Sequence, residues 1–362
     1  KTTWQASAAN KYVFAVTKSL SFDQGFNDTD VSEVNRNVVS YPWSYRDTFH
    51  RYYTVTSDQN SMSLTWIRTF RPEFFHTAKV TRFFSSNHQD VAGKRWDYYD
   101  VPGDSTIFPR QDPYFRNDTE VFASSYRDRF VKTWSLDSDW VRKWRRHDIR
   151  WGGRAQYETV QYFSLDAATV SSERPLGKEY DLFNVTPTTG AFYLQDQFEQ
   201  EGLIAKIGLR YDYWFPGEQV ERLYEERRGI IVNDETEREW LNDTSGLFGR
   251  RFKGHLSPRL EVSHPITDSD NLFFNYGHFS QRPPYFYVYA KTGSQSAEEF
   301  PRIGNPNLNP EISVQYELGA GHTFRRNMAA KVTLFFKDIY DYPTSTTIQL
   351  DDRGTTRSSY FI

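Results

Sequence analysis

Two pairs of acidic residues are the side chains of this sequence that could support hydrolysis. Glu199 with Glu201, and Asp351 with Asp352, are close enough in sequence to be considered for a glycosidase. Such an enzyme needs two carboxyl groups that face each other across a cleft. Because adjacent acids such as Asp351 and Asp352 point to opposite sides of a strand, and Glu201 lies at a predicted turn, we interpret these pairs as solvated turn charges. No catalytic residue is predicted.

Other motifs with chemical function are absent from the sequence. The segment Asp268-Ser269-Asp270-Asn271 resembles part of a calcium loop but lacks its glycine and its distal glutamate, so we interpret it as a turn. The eight histidines show no HxxxH or HExxH spacing, and the chain contains no cysteine. Neither a G-x-S-x-G elbow nor a phosphate-binding P-loop occurs. We therefore predict no metal, no cofactor and no enzymatic activity.

Two clusters rich in aromatic residues could bind a ligand. Aromatic rings stack on sugars, catecholates or peptide groups, and an arginine can pair with a carboxylate. The alternative is that these rings pack the loops on one another or form an aromatic girdle at a membrane surface. The candidate ligand-binding residues are Trp96, Tyr98, Tyr99, Arg282, Tyr285, Tyr287 and Tyr289.

The composition favours an interface between apolar and aqueous surroundings. Only 38% of the 362 residues are hydrophobic, but 17% are aromatic, and the mean hydropathy is −0.74. A net charge of −3 argues against a nucleic-acid-binding protein, which needs a basic surface. The basic segment Arg142-Lys143-Trp144-Arg145-Arg146-His147 is better interpreted as a turn in contact with headgroups and solvent at a membrane boundary.

The elements that position these residues are predicted to be long β-hairpins. Apolar residues alternate with polar ones at Met62, Leu64 and Trp66, and again at Ala78 and Val80 after a tight reversal. Similar hairpins are predicted at residues 134–157, 190–213, 256–276 and 314–336, and a further strand near residues 12–20. We count about eleven strands of about 10 to 13 residues, and residues 218–242 could carry a short helix.

The lengths of the connections alternate strictly between short and long. Tight turns within the hairpins alternate with connections of about 25 to 40 residues at 86–129, 164–189, 216–254 and 282–310. This alternation is typical of outer-membrane barrels, which have short periplasmic turns and long external loops. The predicted fold is therefore all-β: an antiparallel, up-and-down transmembrane β-barrel segment. No stretch is long and apolar enough to be a membrane helix.

Four segments carry a resemblance to a known family. The most informative is Gly304-Asn305-Pro306-Asn307-Leu308-Asn309-Pro310-Glu311, followed by the strand containing Tyr316-Glu317-Leu318-Gly319. The other three lie at residues 191–212, 256–284 and 334–341. Together, and in this order, they resemble the barrel of TonB-dependent outer-membrane receptors.

The resemblance implies a segment of a larger barrel, which has 22 strands in that family. Residues 1–362 are then a partial barrel domain with no separate second domain, and both ends of the chain look cut. The family's plug domain and C-terminal strands are not recognised in this sequence. The implied function is uptake of a nutrient ligand (a siderophore, a glycan or a peptide) across the bacterial cell outer membrane.

The resemblance also implies the partners of the protein. They are outer-membrane lipid, the TonB energy-coupling complex acting through the plug, a small nutrient ligand and a surface lipoprotein; nucleic acid is not among them. The alternatives are a soluble or surface β-rich carbohydrate-binding module or glycosidase domain, and an ungated porin. Neighbouring strands in chain order would favour the barrel, whereas two stacked sheets with a core between them would contradict it.

Overall fold

The computed structural model describes residues 1–26, 52–90, 93, 126–166, 179–227, 232–290, 302–325, 328–349 and 357–362. Within these ranges the chain forms one large antiparallel sheet of 14 strands and a small sheet of three. The strands are β1 (Thr2–Ser7), β2 (Asn10–Phe26), β3 (Tyr52–Arg71), β4 (Phe74–Asp90), β5 (Tyr126–Trp144), β6 (His147–Asp166), β7 (Glu179–Val185), β8 (Thr188–Gln200), β9 (Leu203–Phe215), β10 (Ser245–Leu247), β11 (Arg250–Pro265), β12 (Asp270–Gln281), β13 (Arg302–Ile303), β14 (Glu311–Arg325), β15 (Met328–Tyr340), β16 (Ser345–Gln349) and β17 (Arg357–Phe361).

The large sheet is a meander in which each strand pairs with its neighbour in the chain. Its order is β1-β2-β3-β4-β5-β6-β8-β9-β11-β12-β14-β15, with β7 added to β6 and β10 added to β11. The predicted hairpins are present, and for example Trp134 lies opposite Tyr157 and Leu318 opposite Leu334. The up-and-down architecture predicted from the sequence is confirmed, and the two stacked sheets of the alternative are not formed by the described residues.

The two faces of the sheet differ in chemistry. One face carries large exposed hydrophobic side chains, among them Leu64, Val80, Leu136, Leu194 and Leu318. We call it the apolar face. The side chains between them point to the opposite, polar face, since successive residues of a strand alternate.

Several strands are longer than the 10 to 13 residues predicted. Strands β3 and β6 have 20 residues each. Towards the end that carries the long connections, β3 contains Asp58 and Asn60, and β4 contains Asn87. Where both faces of a strand meet water, alternation is not required, so the sequence pattern ends before the hydrogen-bonded ladder does.

Six strands lie outside the eleven predicted: β1, β7 and β10 of the large sheet, and β13, β16 and β17 of the small sheet. Strand β7 lies within the connection predicted at residues 164–189. Strand β7 continues the line of β8 along β6, with Val185 opposite Val160 and Thr188 opposite Tyr157. Pro187 interrupts this line because it has no N–H group to donate to the ladder, although its carbonyl accepts a hydrogen bond from Glu158 N.

The connections at one end of the sheet hold three helices: α1 (Glu218–Glu225), α2 (Asp234–Asp243) and α3 (Tyr285–Tyr289). The predicted short helix is thus two helices. We call these helices, together with residues 302–310, the loop layer. Its core contains Val220, Tyr224, Trp240, Val288, Tyr289 and Leu308. Among the described residues, no helix combines the length and the apolar character that a bilayer crossing requires.

Within the described ranges, the three strands of the small sheet are hydrogen-bonded to one another and not to the meander. The small sheet has the order β13-β17-β16, and β13 pairs with β17 in parallel. The loop layer and the long connections lie at one end of the strands, which we call the long-connection end. The tight turns lie at the other end of the strands, which we call the short-turn end.

Candidate functional site

Helix α3 brings three of the four described candidate residues into the loop layer. Strand β12 ends at Gln281, and Pro283 and Pro284 come directly after Arg282. Because proline cannot donate to the ladder, the strand cannot continue through them. The five-residue helix that follows packs inwards, with Val288 at 0% and Tyr289 at 2% exposure. The Tyr289 hydroxyl donates a hydrogen bond to the carbonyl of Pro216 at 2.6 Å.

Tyr289 therefore occupies the core of the loop layer. Burial raises the pKa of the Tyr289 phenol, so that this group stays neutral and remains a hydrogen-bond donor. Tyr287 is partly buried against the same core, and its ring lies 6.4 Å from that of Phe286. These two tyrosines hold α3 in place.

The segment of residues 304–309 fastens the end of α3. Gly304 N donates to Ala290 O, and Asn305 N donates to Tyr287 O, both at 2.7 Å. A Cβ atom on Gly304 would lie 2.8 Å from backbone atoms of Val288 and Ala290, so only glycine fits at this position. Leu308, at 5% exposure, completes the apolar contact with the core.

A buried lysine connects the same segment to the wall. Lys253 on β11 is 4% exposed, and its Nζ donates to Asn307 O and to Asn309 Oδ1, both at 2.7 Å. Asn307 Nδ2 in turn donates to Asp243 Oδ2 at the end of α2, at 2.8 Å. Residues 304–309, which lie in the most informative segment of the sequence, thus join β11, α2 and α3.

Arg282 and Tyr285 face the polar side of the wall, where they meet Glu158 of β6. Arg282 Nη1 lies 3.3 Å from Glu158 Oε2, and its guanidinium carbon lies 4.1 Å from the centroid of the Tyr285 ring. The Tyr285 hydroxyl donates to the same carboxylate oxygen. Sequence analysis did not single out Glu158, which is 8% exposed; its place in an alternating strand was the only signal.

Two cavities are lined in part by residues of this cluster. The smaller, of about 220 Å³, is lined by Arg154, Arg210, Asp212, Lys253, His255 and Arg282 among others. The larger, of about 490 Å³, is lined by Lys79, Asp137, Arg154, Glu158, Arg282 and Tyr285 among others. Both cavities lie on the polar face beneath the loop layer and share Arg154 and Arg282.

The smaller cavity has excess positive charge. Each of its arginines faces a carboxylate: Arg210 lies 2.7 Å from Asp212, Arg154 pairs with Asp137, and Arg282 pairs with Glu158. By contrast, Lys253 contacts only neutral oxygens through its two hydrogen bonds. His255 Nε2 is buried without a hydrogen-bond partner in the described part of the chain. Such a cavity can bind an acceptor-rich or anionic group.

The remaining candidates are placed as follows. Trp96, Tyr98, Tyr99, Asp351 and Asp352 lie outside the described residues. Glu199 and Glu201 are exposed at the turn between β8 and β9, and Asp270 accepts a hydrogen bond from Thr267 within the predicted turn. In the ranges that the structure describes, no group of three or more His, Asp or Glu side chains could hold a metal ion. The arrangement described is suited to binding.

Comparison with known proteins gives one family match. The family described as TonB dependent receptor-like, beta-barrel, matches residues 3–361. No curated protein sequence matches this chain.

Solved structures with a similar fold are outer-membrane proteins of very low sequence identity. The outer membrane transporter YddB from Escherichia coli has a TM-score of 0.60 at 9% identity, covering 99% of this chain and 42% of that one. The alcaligin outer membrane receptor FauA from Bordetella pertussis has 0.54 at 10%, covering 99% and 46%. FpvA from P. aeruginosa, in complex with a pyoverdine and iron, has 0.54 at 12%, covering 99% and 44%. The chain thus spans less than half the length of these structures.

Proposed function

Because the chain belongs to the family of TonB-dependent receptors, we propose that it forms part of the wall of a bacterial outer-membrane receptor that takes up a nutrient ligand. The observation that carries the proposal is the charged polar face beneath the loop layer of a single meander. In the bilayer the apolar face would contact lipid and the polar face would line the lumen. Receptors of this family are transporters and not enzymes.

The partners of the complete protein are part of the same proposal. Opening of the pore would depend on the TonB energy-coupling complex, acting through a plug domain. The long-connection end would then face the outside, with the loop layer near the entrance, and the short-turn end would face the periplasm. Association with a surface lipoprotein remains a prediction that rests on the sequence resemblance.

We infer that the ligand carries several oxygen acceptors or negative charges. The arginines, Lys253 and His255 around the smaller cavity support such a ligand, and Tyr285 adds an aromatic ring beside Arg282. Of the three ligand classes considered, an iron–siderophore complex fits this chemistry best. Two of the similar structures are a receptor for alcaligin and a complex with a pyoverdine and iron.

The proposed ligand contacts differ among the seven candidate residues. Arg282 and Tyr285 border the lumen cavities and would contact the ligand directly. Tyr287 and Tyr289 would support them by holding α3 against the loop layer. Contact by Trp96, Tyr98 and Tyr99 stays a prediction.

The test uses the full-length protein that contains this chain. Uptake of radioactive iron by cells and binding to the purified receptor are measured with a panel of siderophores, an oligosaccharide and a peptide. Replacing Arg282 with Gln should weaken binding of the active siderophore roughly tenfold, the usual scale for a lost charged hydrogen bond. The exposed Arg238→Gln change on α2 is the matched control.

Each result bears on a separate part of the proposal. Uptake of the oligosaccharide or the peptide instead of a siderophore would contradict the ligand class. Equal binding by the Arg282→Gln and Arg238→Gln proteins would contradict the site. No uptake or binding of any compound by cells with correctly assembled receptor would contradict the transport function.

A further inference from the structure

A row of aromatic side chains crosses β3, β4, β5 and β6 on the apolar face, close to the short-turn end. The ring centroids of Phe70 and Phe74 are 4.9 Å apart, those of Phe74 and Trp140 are 5.7 Å apart, and those of Trp140 and Trp151 are 6.0 Å apart. The angles between successive planes do not exceed 27°. The row is a flat apolar wall at the level where aromatic residues usually meet the membrane interface.

The turn between β5 and β6 places basic side chains directly beyond this row. Arg142, Arg145 and Arg146 are exposed, and in the described part of the chain none of them has an ion-pair partner. Trp144 is 52% exposed, with the Arg145 guanidinium carbon 5.4 Å from its ring centroid. An aromatic ring with free guanidinium groups around it is suited to the boundary between acyl chains and phosphates.

Nearby carboxylates neutralise only part of this charge. Asp148 is held by Arg150 at 3.1 Å. Glu199 and Glu201 of the next turn line a cavity together with Arg145 and Arg146. Glu73 of the neighbouring turn accepts a backbone hydrogen bond from Lys143 N at 2.8 Å. Arg142 does not line the cavity with Glu199 and Glu201, and among the described residues no carboxylate forms an ion pair with it.

The register gives the depth of Arg142. Trp140 lies opposite Trp151, and Arg142 lies opposite Ile149, two residues closer to the turn on the same face. Two residues of a strand correspond to about 7 Å along its axis. This places the Arg142 side chain at headgroup level when the aromatic row contacts acyl chains.

We propose that Arg142 and Arg145 bind the phosphate of an anionic phospholipid, whose acyl chains lie against the aromatic row. This lipid belongs to the membrane leaflet at the short-turn end, which is the periplasmic leaflet in the orientation given above. The assignment to this leaflet rests on the proposed outer-membrane function. The test of the inference measures bound lipid and does not depend on transport. The positive charge of the turn is opposite to that of a phosphate group, and the aromatic row is continuous with the apolar face. Both features favour a lipid over a protein as the partner.

The test measures lipids retained by the full-length protein. The purified receptor is exchanged into nanodiscs of equal parts phosphatidylglycerol and phosphatidylethanolamine, and retained lipids are counted by native mass spectrometry. We expect preferential retention of phosphatidylglycerol. In the Arg142→Gln/Arg145→Gln protein, the preference for phosphatidylglycerol should be roughly thirtyfold lower. This figure follows from the usual contribution of each of two basic residues near an anionic surface.

The matched control removes the same charge at the opposite end. Arg222→Gln/Arg238→Gln changes two exposed helix residues of the loop layer and should retain phosphatidylglycerol like the parent. The Trp144→Ala change affects an exposed side chain and should weaken retention of phosphatidylglycerol. Barrel assembly should be unchanged, as measured by the heat-dependent shift of the protein on gels.

Three results would overturn the proposal. They are equal retention of both lipids by the parent, equal loss in the matched control, and displacement of the lipid by millimolar inorganic phosphate. Iron uptake measured in parallel separates this outcome from failure of the transport function, because the loop-layer site lies at the other end of the wall.

Discussion

At the scale of single residues, contacts in the loop layer decide what each candidate side chain can do. Tyr289 and Tyr285 are four positions apart in a segment that the sequence presents as one aromatic cluster. One is 2% exposed in the core of the loop layer, and the other meets Arg282 and Glu158 on the polar face. The two rings lie only 5.6 Å apart on the same short helix, but the core encloses one and the other reaches the polar face.

A glycine substitution tests the fastening of α3. Gly304→Ala would place a methyl group 2.8 Å from the backbone of Val288 and Ala290, so we expect a loss of local stability of about 1–3 kcal/mol. Hydrogen exchange of residues 285–290 measures it. Gly246→Ala is the matched control, because nothing lies within 4 Å of its Cβ position. Unchanged exchange in both proteins would contradict the close packing of residues 304–309.

At the scale of elements, caps and anchors explain why the loop layer contains helices at all. Helix α2 begins after Asn233, whose Oδ1 accepts hydrogen bonds from Glu235 N and Thr236 N at 2.9 Å. Its last turn is anchored by Trp240, which is 1% exposed and stacks on Tyr224 of α1 with a centroid separation of 4.9 Å. A ten-residue helix is marginal by itself, so these contacts stabilise it.

Removal of the cap should loosen α2. Asn233→Ala leaves two backbone N–H groups without their acceptor, and we expect a cost of about 1 kcal/mol. Faster hydrogen exchange across residues 234–243 is the measurement. The exposed Glu239→Ala change on the same helix should leave exchange within about 0.5 kcal/mol of the parent. A similar effect of both changes would mean that α2 depends on its packing and not on its cap.

At the scale of the whole molecule, neighbouring residues of a strand lie on faces of the sheet that differ in polarity. Leu136 is 52% exposed on the apolar face, and Ser135 lines the larger cavity on the polar face. Because the two side chains are one position apart, substitutions there would compare the lipid side and the lumen side of the proposed barrel at nearly the same depth. Only one of these positions should tolerate a charge.

The paired substitutions give a test of the membrane orientation. Leu136→Arg should destabilise the assembled barrel by about 2–4 kcal/mol, the usual cost of an arginine near the middle of the bilayer on the lipid side. Ser135→Arg should cost much less, since the lumen is polar. Urea unfolding in lipid vesicles measures both. A larger cost for Ser135→Arg would reverse the assignment of the two faces.

Prediction from the sequence succeeded where the signal is local. The apolar alternation, the tight turns and the start of β14 at Glu311 depend on residues close in the chain, and each is present in the structure. Prediction was incomplete at β7 and at the long-connection ends of β3 and β4. There the ladder continues beyond the region in which an apolar face requires alternation.

The sequence by itself therefore determined the strand faces, the meander and the family, because one apolar face of the sheet imposes a pattern that each strand carries independently. Only the tertiary structure decided the candidate site. Arg282 and Glu158 are 124 positions apart, and Lys253 and Asn309 are 56 apart. Such contacts depend on how the loop layer folds back over the wall, which no local pattern encodes.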